Sequence, residues 1–498
     1  MSDVEIAPEL LAKLLDQIGQ VPGIPVPNHT VSAWQVPQHP LAEVQSKSLP
    51  QTVDFAIIGS GITGCSVAKC LLENDKSATK SVTVFDARRM TTGATSRNGG
   101  FLMAHAPTFF SSYQQAFGIE TAIKISRFCE RTLAEIRRIA QAEGLWDEAQ
   151  IREVETVINF EDEEGLAQKS EAIRRYMEHC PEFEGQYTPM SKEVAKQKYG
   201  LRKTVGGWNV KHHAFWPYRL VTGLFQRLLD RYPGRFTIEC MTPITSITVS
   251  EDNNKAYPYI LTTPRGIVRA AKVFHCTGGF TGHLLPRLRG PIYPNRIHMS
   301  AATADAEFGN RRISWLWHVP VRYEAESRLV DMGLFWMQQN AKSGDLFFGG
   351  DRQKLDDFLT SDDSAVSAEA AENLRTLLPQ RLFAKGFPDP ATGQQKSALK
   401  PHHEWCGIIS MTADKLAIVG PVPTNLSGRK VEGGEWVVSG CNGYGMGQFW
   451  SAGEAIARMA LGEPKPAWLP DVYLSTEERL SGASMSKEAG LEAFFKNT

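Results

Sequence analysis

Short apolar runs alternate along this chain with longer segments in which apolar residues recur every three or four positions. A run of four apolar residues at positions 55–58 predicts a buried strand, and residues 62–72 carry the periodicity of one helix face. A second apolar run at positions 81–85 predicts the strand that follows this helix. The order strand, helix, strand is typical of a parallel sheet, so the pattern predicts an α/β fold.

The same pattern continues through the rest of the chain. Long amphipathic helices are predicted within residues 116–200, and further helices begin at about positions 218 and 448. The segments 334–339 and 345–352 are predicted to pair as antiparallel strands. Other predicted strands cover residues 154–160, 236–239, 244–249, 259–263 and 272–276.

The first 49 residues differ from the rest in composition. An amphipathic stretch at positions 8–18 is followed by a proline-rich segment, and prolines at that density favour extended chain. We interpret residues 1–49 as an arm that lies on the body of the protein. The alternative, an independent domain, has too few residues to form a core.

Three glycines, Gly59, Gly61 and Gly64, lie between the first strand and its helix with the spacing G-x-G-x-x-G. In this spacing the glycines permit a tight turn, close approach of a pyrophosphate and close packing of helix on strand. The helix N-terminus offers free N–H groups to phosphates. Asp86 ends the second strand about 20 residues later, where an acid is expected on a ribose hydroxyl. The set predicts a dinucleotide site; a glycine turn in another α/β domain is the alternative.

Composition narrows the class of protein. The 498 residues suggest two to three domains, and 42% hydrophobic with 22% charged residues is ordinary for a globular protein. A net charge of −1 favours neither nucleic acid nor a membrane surface as partner, and no apolar run is long enough to span a bilayer. Residues 1–5 lack a secretion pattern and the eight cysteines lack metal-site spacing, so we expect a cytoplasmic protein without a metal.

A second glycine-rich segment, Gly-Ala-Thr-Ser-Arg-Asn-Gly-Gly, occupies residues 93–100 and suits a loop that approaches a flat ligand. It resembles the D-amino-acid-oxidase-like FAD oxidoreductases, which include glycine oxidase, sarcosine oxidase and γ-glutamylputrescine oxidase. That family shows G-A-[ST]-x-R-N-G-G along the ribityl chain and flavin ring. A third match is the glycine-rich sequence at 438–447, which precedes the helix beginning at about 448. There, backbone amides and the helix N-terminus would favour negative charge on the reduced flavin.

The resemblance implies an architecture as well as a cofactor. It implies a Rossmann-like FAD-binding domain built from residues 50–115, 205–290 and 404–465. It also implies an α+β substrate domain with an antiparallel sheet, built from residues 116–204 and 291–403. Residues 466–498 remain as a C-terminal tail. FAD is the expected cofactor, held non-covalently rather than covalently.

The resemblance also implies site residues. The residues expected to contact FAD are Gly59, Gly61, Ile62, Thr63, Gly64, Asp86, Ala87, Arg88, Thr95, Ser96, Arg97, Asn98, Gly99, Gly100, Ile244, Thr277, Gly278, Gly443, Tyr444, Gly445, Met446 and Gly447. The candidate catalytic residues are Trp336, Arg352, Tyr444 and His105. For Trp336 and Arg352 the alternative is a core tryptophan and a surface arginine. The expected lining of an apolar substrate cavity is Phe101, Phe109, Phe110, Trp216, Trp336 and Tyr444.

The sequence departs at several positions from the sarcosine-oxidase members of the family that it resembles. Some of them bind FAD through a cysteine at the position of Gly407, and Cys406 lies one residue away. The lysine and arginine with which they hold a substrate carboxylate correspond to Gly447 and Leu102, and their oxygen-activating lysine corresponds to about Phe347. These departures favour a hydrophobic or bulky amine over a small N-methyl amino acid. His212 and His213 are interpreted as a surface pair, because no third metal ligand lies at a useful spacing.

The resulting functional prediction is oxidation of a C–N bond by hydride transfer to flavin N5, with O₂ or another electron acceptor. A dehydrogenase is one alternative. An NAD(P)H-dependent monooxygenase is a second, although no second nucleotide motif is visible in the sequence. A non-catalytic flavoprotein is the third. The oligomeric state is left open.

Overall fold

The computed structural model describes residues 6–251, 255–350 and 352–497. Residues 1–5 of the predicted arm, Asp351 of the predicted strand at 345–352, and Thr498 of the tail lie outside this range. The strands β1–β20 are, in chain order, Thr52–Ile58, Val82–Phe85, Phe101–Leu102, Arg152–Phe160, Tyr187–Met190, Gly206–Ala214, Phe236–Glu239, Ser246–Val249, Tyr259–Thr263, Gly266–His275, Ile292–Ala302, Ser314–His318, Arg322–Glu324, Leu329–Asp331, Leu334–Gln339, Leu346–Gly349, Arg352–Lys354, His403–Thr412, Ile418–Pro421 and Glu435–Ser439.

The helices α1–α13 are, in chain order, Pro8–Gly19, Ile62–Glu73, Ala106–Phe117, Ile119–Ala142, Glu163–His179, Lys192–Gln197, Pro217–Arg231, Thr281–Leu284, Ala368–Thr376, Thr424–Ser427, Phe449–Ala460, Glu477–Leu480 and Lys487–Asn497. The predicted elements at 55–58, 62–72, 236–239, 259–263 and 334–339 are confirmed within a few residues. Among the described residues, no helix combines the length and apolarity that a membrane crossing requires.

The first sheet has the strand order β19-β20-β10-β1-β2-β7, and β9 and β8 extend it from β10. Its central strand β1 runs parallel to β2 on one side and to β10 on the other. The chain passes from β1 to β2 and later enters β10 on the opposite side. Such a reversal opens a crevice at the carboxyl end of the strand, where α/β sheets bind ligands.

The second sheet has the order β18-β11-β16-β15-β12-β4-β6-β3, with β5 beside β6. The pairing is antiparallel except between β4 and β12. The predicted antiparallel pairing of 334–339 with 345–352 is confirmed by β15 and β16. The second of these segments ends early, at Gly349, and the chain continues into β17 of a small three-stranded sheet, β13-β14-β17.

The sheets distribute three strands differently from the predicted domain segments. Strands β3, β6 and β18 lie inside segments assigned to the FAD-binding domain, yet all three pair within the second sheet. Three segments of the chain therefore pass between the first sheet and the second. This brings the face of the second sheet close to the crevice at the end of β1.

The N-terminal arm enters the body of the protein more deeply than expected. Helix α1 and α13 contribute to one apolar cluster beside β11. Further along, Trp34 is only 1% exposed and stacks on Phe347 of β16, with ring centroids 4.1 Å apart. Trp216 meets the same indole edge-on at 5.2 Å. The proline-rich segment therefore delivers a tryptophan to the core of the second sheet.

The prediction of a surface histidine pair is wrong for His212. Neighbouring residues of a strand point to opposite faces, so only one of the pair can face solvent on β6. His212 is 5% exposed, bonds through Nε2 to the Thr156 hydroxyl and donates from Nδ1 to the His213 carbonyl oxygen, 2.7 Å away.

Candidate active site

The first glycine segment, residues 59–64, shapes the crevice at the end of β1. Gly59 has φ +113°, and a Cβ there would lie 2.4 Å from the Cys276 carbonyl oxygen. A Cβ on Gly64 would lie 2.0 Å from the Gly59 carbonyl oxygen. Only glycine fits either place, so the pair brings the N-terminus of α2 to the crevice with its positive dipole end facing outward.

Asp86 faces this helix N-terminus from the end of β2. Its carboxylate accepts hydrogen bonds from the Ser60 amide at 2.9 Å, the Ser60 hydroxyl at 2.5 Å and the Arg88 amide at 2.9 Å. Burial raises the pKa of Asp86, and these hydrogen bonds oppose the rise. A carboxylate offers about four acceptor positions, so one remains for a ligand hydroxyl.

The second glycine segment, residues 93–100, is fixed from both sides. The Trp34 indole donates to the Asn98 carbonyl oxygen at 2.6 Å, and the Gln338 amide donates to the carbonyl oxygens of Gly99 and Gly100. Thr95 reaches the first glycine segment, because its hydroxyl accepts from the Ile62 amide at 2.9 Å. The arm and the second sheet thus hold this loop against α2.

Two arginines of the predicted FAD set are committed to protein partners. Arg88 donates twice to the Asp363 carboxylate, at 2.8 and 2.9 Å, and both side chains are almost fully buried. Arg97 donates to the carbonyl oxygens of Thr30, Thr92 and Cys406. The Arg97 guanidinium ties the arm and β18 to the second glycine segment, and the Arg88 guanidinium ties the chain after β2 to Asp363.

The third glycine segment, residues 440–447, precedes α11 and lies beside the other two. A Cβ on Gly447 would lie 3.6 Å from the Met103 carbonyl oxygen, just after the second segment. Helix α11 packs on α2, where the Ser66 hydroxyl donates to the Trp450 carbonyl oxygen at 2.5 Å. A Cβ on Gly443, or on Gly278 after β10, would meet no atom within 4 Å. Both positions border open space, and the hydroxyl of Ser439, just before the third segment, donates to the Gly278 carbonyl oxygen at 3.0 Å.

Aromatic side chains lie beside the second and third glycine segments. Tyr444 stacks on His105, with ring centroids 4.5 Å apart and planes 14° apart. Phe109 meets Tyr444 edge-on at 5.7 Å. A Cβ on Gly99 would lie 3.0 Å from the Trp336 ring and a Cβ on Gly349 would lie 2.6 Å from it, so the indole packs against both glycines. We group His105, Phe109 and Tyr444, which contact one another, with Trp336, which borders the second glycine segment, and call the four the aromatic pocket. Phe109, Trp336 and Tyr444 are partly exposed.

The polar groups of the aromatic pocket carry no charge near neutral pH. Burial lowers the pKa of His105 to about 3 and raises the pKa of Tyr444 to about 12. The His105 Nδ1 atom lies 3.9 Å from the Cys129 sulfur. Among the residues that form the pocket, none is therefore placed to act as a charged acid or base.

Four other predicted site residues lie outside the aromatic pocket. Arg352 begins β17, where its half-exposed side chain pairs with Glu324. Phe110 is fully buried beside Tyr176, and Trp216 packs in the layer around Trp34. Ile244 is buried two residues after Thr242, whose amide bonds to the Asp86 carbonyl oxygen.

Comparison with known proteins identifies the family. Residues 54–459 match the family model described as FAD dependent oxidoreductase, DAO. The chain belongs to the DAO family. A curated relative, the probable oxidoreductase OrdL of Rhizobium meliloti, is 23% identical over 451 residues, which is 86% of this chain and 87% of the relative.

Solved DAO-type structures share the fold. Glycine oxidase from Geobacillus kaustophilus superposes with a TM-score of 0.62 at 17% identity, covering 86% of this chain and 99% of its own. L-Proline dehydrogenase from P. horikoshii also gives 0.62, at 16% identity, covering 87% and 99%. L-Amino acid deaminase from Proteus vulgaris gives 0.58 at 14% identity, covering 90% and 99%.

The crevice suits the FAD of the DAO family. Open space borders Gly278 and Gly443, and the helices α2 and α11 begin at or directly after the first and third glycine segments. The first glycine segment would hold the pyrophosphate, Asp86 a ribose hydroxyl, and the second and third segments the rest of the cofactor. These assignments remain proposals at the level of individual residues, whereas dependence on FAD is a property of the family.

Sequence reasoning missed two residues beside this DAO site. Trp34 belongs to a proline-rich arm, and its hydrogen bond to Asn98 and its packing beside Gly100 link it to the second glycine segment. Lys169 belongs to the charged helix α5, whose residues read as a solvated surface; its ammonium lies 4.0 Å from the centroid of the Phe109 ring. In both cases the contact joins elements far apart in the chain.

Proposed function

We propose that this FAD-dependent oxidoreductase oxidises a C–N bond of an amine or amino-acid-like substrate bound in the aromatic pocket. The observation that carries the proposal is a pocket beside the glycine segments whose polar groups, His105 and Tyr444, are both neutral. Bound FAD would supply the hydride acceptor. The names of the structural neighbours, an oxidase, a dehydrogenase and a deaminase of amino acids, support the same class of reaction.

The chain's own residues would do three things in this reaction. Trp336 and Tyr444 would hold the substrate by packing, which places the reacting C–H bond. The apolar walls would exclude water and favour the neutral form of the amine, since burial disfavours charge. The N-terminus of α11 would stabilise negative charge that develops nearby. No proton transfer by a side chain is required.

The acceptor is proposed to be O₂, with another acceptor as the second candidate. Phe347 stands where the resembled oxidases have a lysine, and it is buried under Trp34. This specific observation favours the second candidate. A cytoplasmic setting also stays a prediction.

The test is anaerobic reduction of the holoenzyme by a set of amines, followed at the flavin absorbance. Aromatic or bulky amines should bleach the flavin faster than glycine or sarcosine. Trp336→Ala should slow this bleaching by about tenfold or more, because it removes a packing surface for the substrate, whereas Trp146→Ala should not. Failure of every amine would favour a non-catalytic flavoprotein, and bleaching by NADPH alone would favour a monooxygenase. Admission of O₂ to the reduced protein then separates oxidase from dehydrogenase.

A further inference from the structure

Lys169 places a positive charge against one ring of the aromatic pocket. It lies on α5, is partly buried, and holds its Nζ atom 4.0 Å from the centre of the Phe109 ring. Phe109 in turn contacts the rings of Tyr444 and His105. One aromatic ring therefore separates the ammonium from Tyr444 of the third glycine segment.

The second sheet fixes where His318 stands relative to Trp336. His318 ends β12, and Leu316 of the same strand lies opposite Trp336 of β15. Two residues along a strand span about 6.6 Å and share one face of the sheet, so His318 and Trp336 lie on the same face. Burial lowers the pKa of His318, and the positive charge of Lys169 lowers it further.

Among the described residues, the surroundings of Lys169 offer no negative partner. Across the described parts of the chain, no carboxylate lies within ion-pair distance of its Nζ atom. Its neighbours Phe109, His318 and Tyr444 are neutral near pH 7. Burial lowers the pKa of Lys169 to about 8. An ammonium withdrawn from water is costly unless a counter-charge or hydrogen-bond acceptor meets it, and contact with a ring compensates only in part.

We propose that Lys169 binds a carboxylate carried by the substrate at several bonds from the reacting C–N bond. The proposal rests on the proposed function, because it places the reacting end of the substrate near the second and third glycine segments. The remote position follows from the contacts, which run from Lys169 to Phe109 and from Phe109 to Tyr444, the residue before Gly445. The substrate class is thus an amine with an apolar middle and an acidic far end.

The test uses unreactive ligands of the holoenzyme. Phenylacetate, 3-phenylpropionate and 4-phenylbutyrate are titrated against their carboxamides, with flavin absorbance change as the readout of binding. In the wild type the best carboxylate should bind about 10- to 100-fold more tightly than its amide, as expected for a hydrogen bond to a charged group. Lys169→Met should remove this preference and Lys169→Arg should retain it.

A matched control is available on the same helix. Arg174 is 60% exposed and pairs with Glu171, so Arg174→Met removes a positive charge from α5 away from the pocket and should leave the preference intact. Equal binding of acid and amide to the wild type, absence of any carboxylate binding, or a preference that survives in Lys169→Met would overturn the inference. Because this readout is binding, it stays informative if no amine reduces the flavin, which would instead count against the proposed function.

Discussion

At the scale of single residues, the surroundings of Cys406 bear on how FAD is held. Its thiol lies in β18, 3.4 Å from the Ala365 carbonyl oxygen and 3.7 Å from the Thr30 hydroxyl, on the side of the arm. Burial raises the pKa of this thiol to about 11, so it is protonated at neutral pH. The thiolate is the reactive form of cysteine. Gly407 follows it and packs against Arg97.

We therefore expect acid precipitation of the purified protein to release the flavin into the supernatant, with none left on the chain. Cys406→Ser should give the same partition. The flavin absorbance of supernatant and pellet measures the outcome. Yellow colour that stays with the wild-type pellet and leaves with the Cys406→Ser variant would show a covalent link through this cysteine.

At the same scale, local sequence explains why some site residues were predictable. The turn from β1 into α2 requires glycine at positions 59 and 64, and the spacing of the two glycines in the sequence predicts that turn. Arg97 shows the limit of such inference. Its motif identified the loop, but the side chain's partners, Thr30 and Cys406, lie about 70 and 300 residues away in sequence, and only packing of the whole chain brings them together.

At the scale of elements, the N-terminal arm acts as a support for the second glycine segment. Trp34 bonds to Asn98, and Gln35 donates to the Ser96 hydroxyl at 2.7 Å. Proline content predicted the extended conformation of the arm, but not this role, because a proline-rich pattern says where regular structure is absent and not what the segment touches.

The contacts of the arm with the second glycine segment lead to a prediction about the affinity for FAD. Trp34→Ala should weaken FAD binding by about tenfold, since it removes one hydrogen bond and one stacked ring from the loop's support. Trp34→Phe keeps the ring and should weaken binding less. Dissociation constants from ultrafiltration of reconstituted protein give the comparison. Trp146→Ala is the control for loss of a tryptophan elsewhere, and equal affinities in Trp34→Ala and the wild type would rule out a supporting role.

Elements were predicted better than their partners. Strands β7 and β15 begin and end at the predicted residues, because local alternation and turn residues fix the limits of a strand. The pairing of β3, β6 and β18 with the second sheet was not predicted, since strands from three segments must first be placed in space. Lys169 was missed for the same reason: a charged helix face gives no sign that a ring of α3 lies against it.

At the scale of the whole molecule, the two sheets enclose polar groups that fold in their neutral form. His105 lies between α3, α4 and the third glycine segment, and His212 lies on β6 with its ring against Thr156 of β4. Burial lowers the pKa of His105 to about 3 and that of His212 to about 4, from an ordinary value of 6.5. In the unfolded chain both would bind a proton below pH 6.5, and in the folded protein they do not.

This difference gives stability a pH dependence of known sign. Because the folded pKa values are lowered, the unfolded state takes up more protons as pH falls through 6.5, so stability decreases on acidification and is retained above that pH. At pH 5.5 each histidine should lower the free energy of unfolding by about 1.4 kcal/mol relative to pH 7.5, and the two together by about 3 kcal/mol.

The melting temperature of the wild type should therefore be lower at pH 5.5 than at pH 7.5. His212→Gln should show a smaller fall, because glutamine can keep a polar contact with Thr156 without titrating, and His105→Gln should behave likewise. Melting curves at the two pH values, compared as differences within each variant, separate this effect from any overall loss of stability. Parallel shifts in wild type and both variants would mean that the buried histidines are not the source.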